Sequence, residues 1–174
     1  MEKKPLEVAG VIAPPPLVFL GFLAAGVAVD RLIWRLPLGL PAGLAWAAAA
    51  ALFATGVALV IGAGVRFRSA GTPPAPWKPT SAIVASGPYR FTRNPMYLGM
   101  AAIYLAIALM LDSLPSLLLF VPLMAVVDLF VVRREERYFE ARFGDDYRAY
   151  IQGAPLAVSP RHSTTTFEPR GTRP

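Results

Sequence analysis

The chain contains no cysteine. That excludes disulfides, thiolate metal sites, iron–sulfur clusters and cysteine nucleophiles, and it removes any sign of redox compartment. A single histidine, His162, sits near the C-terminus among polar residues. Imidazole catalysis and histidine-rich metal sites therefore have little to work with, and no metal site is expected. Charge is scarce too: 16% of residues are charged, against about 25% in ordinary soluble domains. What the chain has instead is apolar surface, at 55% hydrophobic residues and a mean hydropathy of +0.50. Intrinsic disorder is excluded for most of its length. The 174 residues allow one domain, or one domain and a tail. The net charge of +6 and the pI near 10.1 would suggest nucleic acid in a soluble protein. In so apolar a chain they point to basic residues at an anionic lipid surface, with membrane lipids as partners and no nucleic acid.

Charge-free runs extend over 8–29, 36–65 and 94–111, and 113–132 is broken only by Asp128. A bilayer core takes about 20 apolar residues per helix. The sequence thus predicts an all-α integral membrane bundle with about four transmembrane helices, near 15–34, 41–64, 95–111 and 114–133, and a C-terminal cytoplasmic helix. A soluble bundle of unusually apolar helices would leave too little polar surface. A cleaved signal peptide fits the first run poorly, because it exceeds the usual apolar length and contains Pro14-Pro15-Pro16. Of the 17 lysines and arginines, an even number of spans places fifteen on the side of the termini and two on the other. The positive-inside rule then puts both termini in the cytoplasm, and the expected location is a bacterial or archaeal inner membrane. Trp34 and Trp46 fall near helix ends, where they suit either interfacial anchoring or lipid-facing packing.

About three residues join the third and fourth helices, which forces an antiparallel hairpin. The fourth continues into the charged run Arg133–Phe143 and should emerge as one helix ending near Gly144. Four prolines between Gly71 and Thr80 forbid a helix there; the stretch is a candidate lid, with Trp77 at the interface. Residues 1–153 form the expected transmembrane domain, and 154–174 a flexible polar tail.

The polar groups gather on the cytoplasmic side in three clusters: Ser86 to Gly99, Arg133 to Glu140, and Phe143 to Tyr150. The hairpin brings Asn94 and Tyr97 to the level of Arg133, Glu135 and Glu136. Cations, paired carboxylates and a tyrosine at a lipid–water boundary suit a charged soluble cofactor meeting a lipid-soluble substrate. Topogenic arginines beside a solvated helix would look the same from charges alone.

The run Ser-Gly-Pro-Tyr-Arg-Phe-Thr-Arg-Asn-Pro-Met-Tyr-Leu-Gly from Ser86, a membrane hairpin, Arg-Arg-Glu-Glu-Arg-Tyr-Phe from Arg133, and Phe-Gly-x-x-Tyr-x-x-Tyr from Phe143 together resemble the isoprenylcysteine carboxyl methyltransferase and phospholipid methyltransferase superfamily. The resemblance spans roughly Ile83 to Ile151. It implies an S-adenosylmethionine-dependent methyltransferase of the membrane. By position it implies cofactor binding at Tyr89, Arg90, Arg93, Asn94, Pro95, Tyr97, Gly99, Glu135 and Glu136, within a cofactor-binding part at 83–151. It implies catalytic roles for Arg133, Glu136 and Tyr97. Asn94 stands where many relatives have histidine; it still donates and accepts hydrogen bonds but carries no charge. Gly62-Ala63-Gly64 matches a Gly-x-Gly segment of some relatives, or serves close helix packing.

Under this reading an arginine pairs the cofactor carboxylate, a glutamate its ammonium or ribose, and positioning supplies much of the rate. The acceptor is a lipophilic small molecule or lipid, at nitrogen, oxygen or sulfur. Arg133, Arg134 or Arg137 would hold an anionic substrate group. An NADPH-dependent membrane reductase of related fold and a non-catalytic scaffold binding anionic lipid are the alternatives. Asp128, ionisable within a span, calls for a partner or a wet cavity. Oligomeric state is not encoded in any feature of the chain.

Overall fold

A computed structural model describes residues 10, 13–73 and 78–152. Trp77, His162 and the 154–174 tail lie outside the described residues, as do the lysines at 3 and 4. The described chain is all helical. Helix α1 (Pro15–Ala28) runs into a π-helical turn, Val29–Ile33. Helix α2 covers Ala42–Ser69, and α3 covers Pro95–Met110. A long interrupted helix follows: α4 (Leu114–Leu118), α5 (Phe120–Val127), a second π turn (Asp128–Val132) and α6 (Arg133–Phe143). The short α7 (Asp145–Ile151) ends the described residues.

Three helical stretches, Pro15–Ile33, Ala42–Ser69 and Leu114–Phe143, are long and apolar enough to cross a membrane. The protein is an integral membrane helical bundle. The predicted third span, α3, is apolar but has only 16 residues. It rises about 24 Å at 1.5 Å per residue, less than the roughly 30 Å of a hydrocarbon core.

Prolines stand in the first turn of α1, α3 and α4, where a missing N–H costs nothing. Helix α2 runs five residues beyond the predicted 64. Loss of apolar character ends a membrane span, not a helix, and Arg66 and Arg68 in the last turn suit the helix dipole. Gly71, with φ of 65°, supplies the left-handed stop.

Short α3 is the inner helix. It packs against α1, α2, α4 and α5, most extensively against α2. The buried residues of α2 are Ala49, Gly56 and Ala63, seven apart. That period keeps one face of small residues toward α3 and lets the two backbones approach. The approach is closest at Gly56 and Gly99: a Cβ on Gly56 would lie 2.6 Å from the Gly99 carbonyl oxygen, and one on Gly99 2.7 Å from that of Gly56. On the other side Phe19, Tyr104, Leu123, Val127 and Val131 form the core. The Tyr104 hydroxyl donates to the Ser116 carbonyl at 2.7 Å. Ser113 caps α4 by accepting from the Ser116 N–H.

The hairpin turn at Asp112, the described non-glycine residue with positive φ (50°), is braced by charge. Asp30, fully buried, accepts from the Arg35 guanidinium at 2.6 Å and the Leu36 N–H at 3.1 Å. Asp112 accepts from the Leu38 N–H at 2.9 Å. This network holds the α1–α2 connection to the α3–α4 turn, at the bundle end opposite the basic clusters. Nothing in the sequence pattern singled out Asp30 for this role.

The glycine contact is testable. Gly56→Ala should cost about 1–3 kcal/mol through overpacking, read as lowered thermal unfolding in detergent. Gly64→Ala, where an added Cβ meets nothing within 4 Å, should leave stability unchanged or slightly raised.

Candidate functional site

Asn94 and Pro95 open α3 at the basic end of the bundle. Pro95 takes the first helical position, and Asn94 precedes it with its side chain making no cap hydrogen bond. Asn94 lines the cleft described below. One turn later Tyr97 points across the hairpin to α6, where its hydroxyl donates to Glu135 Oε1 at 2.6 Å. A phenol–carboxylate bond this short is charge-assisted. Arg93, just before the helix, pairs with Glu136 Oε1 at 2.9 Å. Two successive carboxylates of α6 thus hold two side chains from the start of α3.

The space between them is a cleft lined by Arg93, Asn94, Tyr97, Glu135 and Glu136 at its polar end. Phe67, Ile83, Tyr89, Met96, Tyr138, Phe139, Tyr147 and Tyr150 form its walls. It encloses about 820 Å³, open solvent at its mouth included. Pro73, at the start of the proline-rich stretch, also lines it; residues 74–77 of the expected lid lie outside the described residues.

The walls are held from several elements. Phe67 of α2 meets Tyr89 edge to face at 5.5 Å. The Thr80 N–H donates to the Tyr138 hydroxyl at 3.1 Å, which fixes the strap entering from α2. Gly144, with φ of 54°, turns the chain from α6 into α7, so that Tyr147 stacks obliquely on Phe139 at 5.5 Å. The Tyr150 hydroxyl then donates to the Tyr89 carbonyl at 3.1 Å and closes the wall. Burial, then the Glu136 carboxylate, pushes the Tyr147 phenol up to about 12, against the opposing pull of Arg93. Burial raises Tyr150 and Tyr89 as well. These phenols remain neutral hydrogen-bonding groups at physiological pH.

The structure brings together six of the residues singled out from the sequence: Tyr89, Arg93, Asn94, Tyr97, Glu135 and Glu136. It keeps the others out of the cleft. Arg90 is exposed on the outside of the Gly87–Arg90 turn. Pro95 and Gly99 are buried in α3, the one starting the helix and the other spacing it from α2. Arg133 is turned away and pairs with Asp128 at 2.8 Å. The π turn between them explains this, because its i→i+5 geometry stacks residues five apart. It gives Asp128 the partner its place in the helix demands. Gly62 and Gly64 do not line the cleft; Ala63 between them packs under Val84 and Tyr89. Tyr138, Phe139, Tyr147 and Tyr150 were not chosen as site residues. The i, i+3 spacing of Tyr147 and Tyr150 after a glycine was the available signal.

The family model described as Phospholipid methyltransferase matches residues 44–146, from the first turn of α2 to the second residue of α7. The chain belongs to this family. The match assigns methyl transfer at a membrane as the general activity. It ends after Asp146 and covers the polar end of the cleft together with most of its aromatic wall. An uncharacterized protein of Haemophilus influenzae is 40% identical over 57 residues, 33% of this chain and 90% of that protein. No solved structure matches. Of the helices this phospholipid methyltransferase family member supplies to the cleft, α3 and α6 and all but the first two residues of α2 fall inside the matched region, while Tyr147 and Tyr150 of α7 lie beyond it.

Raised tyrosine pKa values have a sign. A phenol with a higher pKa in the folded state stabilises the fold below its ordinary value near 10, and that contribution is lost as pH rises toward 12. Thermal unfolding of the detergent-solubilised protein should therefore weaken between pH 10 and 12, and Tyr147→Phe should flatten that decline.

Proposed function

We propose that the cleft binds S-adenosylmethionine and that the protein methylates a lipophilic amine at the cytoplasmic face, with both termini on that face. The observation carrying this reading is the pairing of Arg93 with Glu136 and of Tyr97 with Glu135 at the end of an aromatic-walled cleft.

The donor set fits the cofactor. Bound S-adenosylmethionine supplies a methyl group on a sulfonium, next to an amino-acid carboxylate and ammonium. Arg93 is half exposed and can exchange part of its contact with Glu136 for that carboxylate, bidentately. Glu136, released in the same exchange, takes the ammonium. The Asn94 amide, free of helix capping, offers both a donor and an acceptor to neutral polar groups. The faces of Tyr89, Tyr147 and Phe139 suit a cationic centre and a planar ring. Pro95 and Gly99 contribute indirectly, by starting α3 and seating it.

Glu135 favours an amine over a carboxylate as acceptor. Its carboxylate has a hydroxyl partner but no cation among the described ion pairs. A second carboxylate in the cleft would meet like charge in a poorly screened place. An ammonium would be attracted, give its proton to Glu135, and present a lone pair. Tyr97 holds Glu135 in place for that proton. The aromatic walls exclude water, and positioning does the rest. Arg133, paired outside with Asp128, takes no part in these steps. Low overall charge, the apolar spans and the bundle-end cleft support a substrate delivered from the lipid.

Calorimetry tests the cofactor. S-Adenosylmethionine should bind the detergent-purified protein, and NADPH should not. Arg93→Ala and Glu136→Gln should each weaken binding at least about tenfold, or roughly 1.4 kcal/mol, with helicity retained. Glu135→Gln should leave binding nearly intact and lower methylation of a long-chain amine at least about a hundredfold. A long-chain fatty acid should not be methylated by either form. Binding of NADPH alone would replace this reading with a reductase.

A further inference from the structure

Two guanidiniums next in sequence to cleft-wall residues have no place in the transfer chemistry. Arg66 lies in the last turn of α2, and Arg90 closes the 3-10 turn Gly87–Arg90. They belong to one surface. Gly87 has φ of 65°, and a Cβ built on it would lie 2.7 Å from Arg66 Nε and 3.2 Å from its Cγ. The Arg66 side chain thus crosses Gly87 in space that only glycine leaves open. Positions three apart in a 3-10 turn stand over one another, which puts Arg90 on the Gly87 side. Both arginines are exposed. Neither forms an ion pair with a described carboxylate, whereas Arg31, Arg35, Arg93, Arg133 and Arg148 all do.

Apolar surface lies directly alongside. Phe91, next to Arg90, is 90% exposed. Ile61 and Val65 of α2, four residues apart on one helix face, are 59% and 50% exposed. That face lies about 100° round the helix from Arg66 and runs from its level down into the span. An uncompensated pair of cations above an apolar face is complementary to an anionic amphiphile. A soluble polyanion would engage the arginines alone and make no use of the apolar surface at Phe91, Val65 and Ile61.

We propose that Arg66 and Arg90 form a site for the phosphate of an anionic membrane phospholipid, whose chains lie on the outer face of α2. The guanidiniums suit a phosphate through paired, directional hydrogen bonds. The site is outside the cleft but shares its wall. Phe67 and Tyr89, each adjacent in sequence to one of the arginines, line the cleft and meet edge to face.

The test is native mass spectrometry of the detergent-solubilised full chain titrated with phosphatidylglycerol, phosphatidylcholine and inorganic phosphate in parallel. Phosphatidylglycerol should be retained in preference to phosphatidylcholine. Arg66→Gln/Arg90→Gln should weaken its retention at least about tenfold, and Arg66→Lys/Arg90→Lys should recover part of it. Arg137→Gln, which removes one exposed charge elsewhere, should leave it unchanged. Gly87→Ala keeps both charges but displaces Arg66, and should also weaken retention. Equal retention of the two lipids overturns the proposal. So does undiminished phosphatidylglycerol binding by a folded glutamine double variant, or competition by inorganic phosphate at equal concentration. If that double variant does not fold, Gly87→Ala decides: unchanged affinity there overturns the site.

Discussion

The close approach of two backbones at Gly56 and Gly99 sets the positions of everything around the cleft. No side chain intervenes there, and a single methyl group on either residue would collide with the opposite carbonyl. With α3 held that near α2, Met96 at its start and Phe67 at the end of α2 pack on one cluster, Tyr97 and Asn94 share the cleft with Phe67, and Tyr89 of the Gly87–Arg90 turn folds back over Ala63. Helix–helix association in lipid has little hydrophobic drive and depends on such contacts between small residues. The seven-residue period of Ala49, Gly56 and Ala63 is the sequence form of that constraint.

Charge is then placed in pairs, and the pairs divide the molecule. At one end Asp30, Arg35 and Asp112 brace the connections between helices. At the other, Arg93 with Glu136 and Tyr97 with Glu135 join α3 to α6 across the hairpin. Asp30 and Asp128 each sit in a π turn with an arginine five residues on. In the second the wider helix brings the pair into contact; in the first the chain leaves the helix in extended form at Trp34, and Arg35 folds back onto Asp30. The second π turn also shifts the register of α6 by one residue, about 100° of rotation. Arg133 is left on the outside while Glu135, Glu136 and Tyr138 face α3. One local irregularity thus separates a structural ion pair from the carboxylates of the site.

Much of this was legible in the sequence. Charge-free runs revealed the helices, and the short Asp112 turn revealed the hairpin. The placing of Asn94 and Tyr97 at the level of Glu135 and Glu136 followed from those lengths, whereas the Arg93–Glu136 pair did not. The end of α2 was misplaced because hydropathy marks where lipid ends, whereas Arg66 and Arg68 continue the helix into water. The lengths gave the level of Arg133 along the hairpin but not its direction, which the π turn sets by pairing it with Asp128. Gly99 was read as touching cofactor because it stands in the motif; its neighbour is Gly56, 43 positions away in the chain. The spacing of Tyr147 and Tyr150 after Gly144 was visible, but their place in the cleft wall depends on the direction in which Gly144 turns α7, a backbone angle that the spacing does not display.

The cleft between α3 and the α6–α7 arm is the proposed seat of the methyl donor, and every chemical role assigned to its residues depends on that placement. Ultraviolet photolabelling of the solubilised protein with isotopically labelled S-adenosylmethionine, followed by peptide mapping, locates the donor whatever the acceptor is. Label confined to peptides bearing Tyr89 to Tyr97 and Glu135 to Tyr150, and displaced by unlabelled cofactor, is the result the geometry predicts. Specific label on the Asp30–Arg35 end of the bundle, or none displaced by unlabelled cofactor, would contradict it.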